Sequence, residues 1–223
     1  MRRSGVRLSP VSKPAPVTVA EAKRQATVDH ILALARRLVL QTGLDVTMDQ
    51  LAEATGVSRR TLFRLFDTRE KLVGAAFEAG MGGYVRQLPS YGVYPGDPGR
   101  WLRDTCDTAH RMNAAIGPGF FELASRRDLP PDLAAAERLR RKEFRGAMAD
   151  ITRTLWQATG GAGEPPAALN TTVTAHLSPH FTAALAVDAA RDWQTAAELA
   201  YGAIATALRN ESGCALSDFG DPP

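Results

Sequence analysis

The sequence predicts an all-α protein: a small N-terminal head with a helix-turn-helix, followed by a larger helical body. Three observations lead there. Apolar residues recur at three- and four-residue spacing from about Thr18 almost to the C-terminus. The interruptions between those runs carry helix stop and start chemistry, and no run of strand period stands outside them. Charge is divided unevenly along the 223 residues: positions 1–72 hold 13 basic and 7 acidic side chains, the remainder 14 and 17, within a net charge of only +3. A basic head on a mildly acidic body points the head at a polyanion.

Residues 1–17 hold three prolines, four basic residues and no acidic one. Such a segment buries too little apolar surface to offset its ordering entropy, so a disordered basic tail is expected. Two readings of it stand, a leftover extension or an arm that touches nucleic acid. Val28, Ile31, Leu32, Ala35, Leu38 and Val39 then share one helix face, and Gly43 stands where a C-cap glycine belongs. Further helices are expected at 48–55, 58–66, 69–88, 98–115, 118–127, 131–158, 166–188 and 192–210. Asp97-Pro98 supplies an N-cap and a first-turn proline. Asp128-Leu129-Pro130-Pro131 stops one helix and starts the next, and Gly160 to Pro166 forms a joint. Thr171 to Thr174 is β-prone locally but lies inside a helical pattern, which Pro179 should kink. The expected units are the tail 1–17, a head 18–68, a larger body 69–211, and a flexible tail 212–223.

Two cysteines, Cys106 and Cys214, lie far apart in no metal-type spacing, which argues against a disulfide framework and suits a reducing cytoplasm. The start, Met1 to Arg7, resembles the charged head of a signal peptide. Ser9 to Pro16 follows instead of an apolar core, so export is not expected. No uncharged apolar run approaches the ~20 residues of a membrane helix. A soluble, cytoplasmic protein is expected.

Function is written in Thr47 to Leu72, TMDQLAEATGVSRRTLFRLFDTREKL. Thr47 with Gln50 three residues on is a capping box, so a helix starts at Met48. Thr55-Gly56 ends it, and Ser58 caps a second short helix after the turn Gly56-Val57. Leu62, Leu65 and Phe66 form the buried side of that helix, leaving Arg59, Arg60, Thr61 and Arg64 to project. Two short helices across a glycine turn form a helix-turn-helix, whose second helix enters the DNA major groove. Arginine there pairs bidentately with guanine, at about 1–3 kcal/mol of base discrimination per pair. Rim arginines neutralise phosphates. Asp67 or Thr68 can cap the next helix, whose start favours a phosphate, and Arg69 would reinforce it. Taken alone, a pair such as Arg59-Arg60 is more often an ordinary solvated face.

The full run is I31-L32-A33-x-A35-x-x-L38-V39, G43-x-x-x-T47-M48-x-x-L51-A52, then G56-V57-S58-R59-R60-T61-L62-F63-x-x-F66-x-x-R69-E70-x-L72. It closely resembles the N-terminal DNA-binding domain of TetR-family transcriptional regulators, over about residues 24–72. The resemblance implies a three-helix head, a long connecting helix and a helical body that binds an inducer and forms a homodimer. It implies a repressor released from a double-stranded operator of inverted-repeat form. By position, Thr47 would cap the first motif helix and contact phosphate, with Arg59, Arg60 and Thr61 facing bases. Phe63 stands in place of a usual tyrosine and keeps only apolar contact. Arg69 stands where lysine is commoner and would hold a phosphate.

In the body, Cys106, His110, Phe121, Met148 and His176 are the candidate lining of a pocket for an apolar or aromatic small molecule. The plainer alternative for each is ordinary core. His176 and His180 have an i,i+4 spacing that can bind metal, but no carboxylate joins them and Pro179 intervenes, so no metal site is expected. No catalytic triad order, P-loop or dinucleotide turn occurs, so neither an enzyme nor a cofactor is expected. The competing class is an all-helical carrier or enzyme of small molecules with an incidental basic head. The alanine-dense stretches 183–190 and 196–207 are the expected dimer surface, with a buried intramolecular helix pair as the alternative.

Overall fold

The computed structural model describes residues 18–212, leaving aside the side chains of Met81 and Gly82. The expected tail at 1–17, Cys214 and most of the expected C-terminal tail lie outside the described residues. The described residues form ten α-helices and one 3-10 turn, with no strand. The head comprises α1 (Val19–Thr42), α2 (Met48–Thr55) and α3 (Arg59–Phe66). The connecting helix α4 (Arg69–Gln87) leads to α5 (Pro98–Ala114), α6 (Pro118–Ser125), α7 (Pro131–Ala158), α8 (Ala167–His176), α9 (Pro179–Asp188) and α10 (Trp193–Ser212).

Local chemistry explains the boundaries. The Thr18 side chain accepts from the Glu21 N–H, Thr68 from Lys71, Asp97 from Arg100 and Ser178 from Phe181. Each supplies an acceptor to a first-turn donor that has no intrahelical partner. Proline opens α5, α6, α7 and α9, where its missing N–H costs no hydrogen bond.

Two apolar cores result. Ile31, Val39, Leu51, Leu62, Leu72 and Phe77 close the head. Leu123 of α6 and Leu133 of α7 complete that same core, so the head does not end where the body begins. The second core gathers Leu102, Met148, Leu155, Leu169, Val173 and Ile204 from α5, α7, α8 and α10. α4 runs between them, packed on α1 and on α7.

Three expectations change. The stretch 166–188 is two helices. Leu177 ends α8, and Ser178-Pro179 forms a fresh cap and first turn, because proline cannot donate to the preceding turn. The segment after α4, for which the sequence predicts no element, holds a 3-10 turn at Tyr91–Val93, and Trp101 packs edge-on against Tyr91 at 5.3 Å. The last helix runs through Ser212, past its expected end. Its alanines serve inside the protomer: Ala196, Ala197, Ala200 and Ile204 are buried, and α10 packs on α5 and α8. The free flank of the same stretches carries Val187 and Leu199, 81% and 49% exposed.

Candidate functional site

The helix-turn-helix is assembled by short-range bonds. Gln50 N–H donates to Thr47 Oγ1 at 3.2 Å while Thr47 N–H donates to Gln50 Oε1 at 2.8 Å, completing the box. Gly56 turns with φ 67° and ψ 17°. A side chain in that left-handed conformation is strained, so glycine suits the position. Ser58 Oγ accepts from Thr61 N–H at 3.2 Å and starts α3. Leu62 is fully buried and anchors α3 to the head core. Arg59, Arg60, Phe63 and Arg64 lie on the exposed side, with Thr61 half-buried. Arg60 and Arg64 have no hydrogen-bond or ion-pair partner among the described residues, which leaves both guanidinium groups available to phosphate or base edges.

Arg59 is held differently. Its Nη1 lies 3.2 Å from both carboxylate oxygens of Asp49 on α2. Its guanidinium carbon sits 5.5 Å from the centre of the Phe63 ring, within cation–π range. The side chain is thus laid along the motif surface and tied to α2.

The geometry also redirects Arg69. Its Nη1 donates to the carbonyls of Leu44 at 2.6 Å and Val46 at 3.0 Å, and its Nε to Glu70 at 2.9 Å. These donors face into the protein, so the structure gives Arg69 the work of pinning the α1–α2 connection instead of an open phosphate contact. Thr68, of the two candidates, caps α4; Asp67 turns the chain at φ 69° and pairs with Lys71 Nζ at 2.6 Å.

The head meets the body at α6. Leu44 N–H donates to Glu122 Oε2 at 2.7 Å. Gly119 lies so close to α1 that an added Cβ would stand 2.0 Å from the Val39 carbonyl oxygen. Arg126 extends the contact by donating to Asp45 at 3.2 Å.

The five candidate pocket residues occupy other places. Cys106 and Met148 are sealed in the body core, where burial pushes the Cys106 thiol up to about 12. His110 is fully buried, with Nδ1 2.8 Å from Thr182 Oγ1. Burial, with the nearby His176 adding to it, holds the His110 pKa down to about 4. His176 Nδ1 meets the Thr172 carbonyl at 2.9 Å at the end of α8, whereas His180 lies on α9, 5.5 Å from the Phe121 ring. The helix face these two histidines were expected to share is therefore broken.

Cavities open elsewhere. One of about 270 Å³ lies among α1, α4, α5, α6 and α7, with Arg36, Phe77, Tyr84, Met112, Phe120 and Arg140 in its wall. A second, of about 340 Å³, adjoins it across Phe120 and Arg140 and is bounded by Phe144 and His180. None of the five candidates lines either cavity. Sequence reasoning missed Arg36, whose signal is a charge set four residues from both Leu32 and Leu40 on the apolar side of α1. Arg140 and Glu137 form an i,i+3 pair, both nearly buried. Burial alone would raise the Glu137 pKa, but bonds from Arg140 and Arg141 hold its carboxyl below the usual range.

Residues 31–76 match the family model for bacterial regulatory proteins of the tetR family. Among curated proteins none matches in sequence. Solved structures share the fold across both regions. A Rhodococcus sp. protein assigned to the TetR family of transcriptional regulators has a TM-score of 0.64 and 20% identity, covering 82% of this chain and 99% of that one. The transcriptional regulator FadR from Bacillus subtilis, in complex with stearoyl-CoA, has a TM-score of 0.62 and 13% identity over 83% and 98%. NalD, the secondary repressor of the MexAB-OprM multidrug efflux pump in Pseudomonas aeruginosa, has a TM-score of 0.55 and 20% identity over 82% and 95%. The capped helix-turn-helix thus lies inside a segment that matches the family model for bacterial regulatory proteins of the tetR family, within a fold shared with solved structures of such regulators.

Proposed function

We propose that this regulator is a ligand-responsive repressor that acts in the cytoplasm and binds an inverted-repeat DNA operator as a homodimer. The observation that carries the DNA reading is α3: eight residues, fixed by Leu62 on one side, presenting Arg59, Arg60 and Arg64 on the other. Arg59, Arg60 and Thr61 take the base edges and Arg64 a phosphate. Phe63, 41% exposed, offers apolar contact to a thymine methyl or sugar. Thr47 and Ser58, at the two helix starts, complete the phosphate-facing rim. Arg69 supports the interface by positioning the α1–α2 connection.

Two heads are needed to read two half-sites one helical turn apart, roughly 34–36 Å. The exposed flank of α9 and α10, with Val187 and Leu199, is the surface we assign to pairing. The cavity among α1, α4, α5, α6 and α7 is the inducer site. Its walls reach α1 directly, and Gly119 and Glu122 join α6 to the end of α1, so a ligand that reshapes this region shifts the head between two settings. FadR and NalD, a ligand-bound regulator and a repressor, are in keeping with this reading.

A catalytic role has little support. The groups chemically suited to it, Cys106 and His110, are sealed from solvent, with the thiol pushed up and the imidazole held neutral. Among the described residues no helix is long and apolar enough to cross a membrane.

Binding-site selection with the purified full chain tests the proposal. Recovery of a palindrome bound by a dimer is the expected result. Absence of any enriched sequence would overturn it in favour of a carrier with an incidental basic head.

A further inference from the structure

The cavity between α1 and α7 carries charge information beyond its shape. Most of its wall is apolar, including Leu40, Phe77, Met112, Ile116 and Phe120. Set into that wall are Arg36, Arg140 and Tyr84. Arg140 is already engaged: it bonds both carboxylate oxygens of Glu137, which it shares with Arg141, and lies over the Phe120 ring at 4.7 Å. Arg36 has no hydrogen-bond or ion-pair partner among the described residues. Its guanidinium end lies over Gly80, where an added Cβ would stand 2.6 Å from Arg36 Cδ and Nη1. One turn further along α4, the hydroxyl of Tyr84 is buried next to the Asn113 side chain and lacks a well-formed hydrogen bond. A buried hydroxyl left unpaired is destabilising, and an unpaired cation in an apolar wall is costly too.

These features complement one another. The cavity presents one unpartnered guanidinium and one orphaned hydroxyl in a mostly apolar wall, whose other polar members are Gln87 and the engaged Arg140. We infer that the cavity binds a monoanionic carboxylate with an apolar body, its carboxylate taken by Arg36 and the Tyr84 hydroxyl. Arginine matches a carboxylate bidentately, and the phenol can donate to the same group. A neutral amphiphile leaves Arg36 unmatched, while a dianionic phosphate monoester brings one charge too many. The volume of about 270 Å³ suits a compact acid, not a long chain held whole. Arg36 belongs to α1, inside the segment that matches the family model. The ligand charge is therefore clasped by the DNA-binding head itself. This inference rests on the cavity being the inducer site.

Calorimetric titration of the purified full chain tests it with four probe series: straight-chain carboxylates of six to twelve carbons, arylalkyl carboxylates, the matching alcohols, and the matching alkyl phosphates. Carboxylates should bind at least tenfold more tightly than their alcohols and phosphates. Arg36→Gln should remove that preference while leaving alcohol binding within about twofold of wild type. Tyr84→Phe should weaken carboxylates about three- to fivefold. Gly80→Ala, which displaces Arg36 without deleting it, should reproduce much of the Arg36→Gln loss and serves as the second variant should Arg36→Gln fold poorly. Equal binding of acids and alcohols, preference for the phosphates, no carboxylate binding at millimolar concentration, or unchanged carboxylate affinity in both the Arg36→Gln and Gly80→Ala proteins would each overturn the inference. Release of the selected operator by the bound acid, followed by fluorescence anisotropy, tests the regulatory reading separately. A chain that binds acids but keeps its operator sinks that reading alone.

Discussion

Leu44 N–H donates to Glu122 Oε2 at 2.7 Å across 78 residues of sequence. Leu44 is almost completely buried in the intact protein, and Glu122 supplies the acceptor for its amide. Glu122→Ala should destabilise the protein by about 1–3 kcal/mol in urea unfolding, the cost of an unsatisfied buried donor. Glu122→Gln, which retains an acceptor, should recover much of the loss. Equal destabilisation by both variants would place the effect in the 3.2 Å ion pair between Glu122 and Arg126 instead.

Gly119→Ala tests the close approach of α6 to α1. Its Cβ would stand 2.0 Å from the Val39 carbonyl oxygen, a distance that backbone atoms cannot accommodate without separating the helices. Overpacking of this kind costs about 1–3 kcal/mol. The variant should melt lower than wild type, and DNA affinity should respond less to bound ligand. An unchanged melting temperature would show that the two helices separate freely.

The Asp49–Arg59 pair is exposed on both sides, so its contribution to stability is small, within the roughly 0–1 kcal/mol typical of surface pairs. Its effect should appear in DNA binding. Asp49→Asn removes a negative charge from the surface proposed to face DNA and releases Arg59, so affinity at low salt should rise severalfold with the melting point nearly unchanged. Arg59→Ala should lower specific affinity by about 1–3 kcal/mol and relax base choice in a selection. Weaker DNA binding by the Asp49→Asn protein would mean that the carboxylate positions Arg59 for its base.

Arg69→Ala separates a structural arginine from a phosphate contact. Removing its bonds to Leu44 and Val46 leaves their carbonyls short of a charged donor, at a cost of about 1.5–3 kcal/mol to the fold. The slope of DNA affinity against salt should change by less than one counterion per head. A slope reduced by about one with stability intact would restore the phosphate role.

His110 makes stability depend on pH. Its folded pKa of about 4 lies below the ordinary 6.5. Between those values the unfolded chain binds more protons than the folded one, so stability rises with pH through this window and is lost as pH falls from about 6.5 to about 4. The difference is worth about 3 kcal/mol at full extent. Unfolding midpoints at pH 7 and pH 5 should therefore differ more for wild type than for His110→Gln. Identical pH profiles for the two proteins would assign the acid sensitivity elsewhere.

Much of the DNA-binding head is legible from residue order alone. Thr47 with Gln50, Gly56 and Ser58 act through bonds spanning at most four residues, so their spacing already contains the geometry. The break at Ser178-Pro179 is of the same local kind. It was readable as a kink, and became a full stop because Ser178 supplies a new cap and Leu177 buries itself at the helix end. The candidate pocket was less legible. Cys106, His110 and Met148 have the residue types of a binding site, yet they point into the core because α8, α9 and α10 close over them.

By itself, then, the sequence determined the all-helical class, the positions of the caps and the arginine-bearing face of α3. Backbone hydrogen bonding and helical period are properties of neighbours along the chain. Tertiary structure alone decided that Arg69 turns inward to residues 44 and 46, that Arg59 lies against Asp49, and that Arg36 and Arg140 share a cavity wall. An arginine has five donors and a long, flexible stem, so its partner is whichever acceptor packing brings within reach, and the acceptors for these side chains come from separate helices.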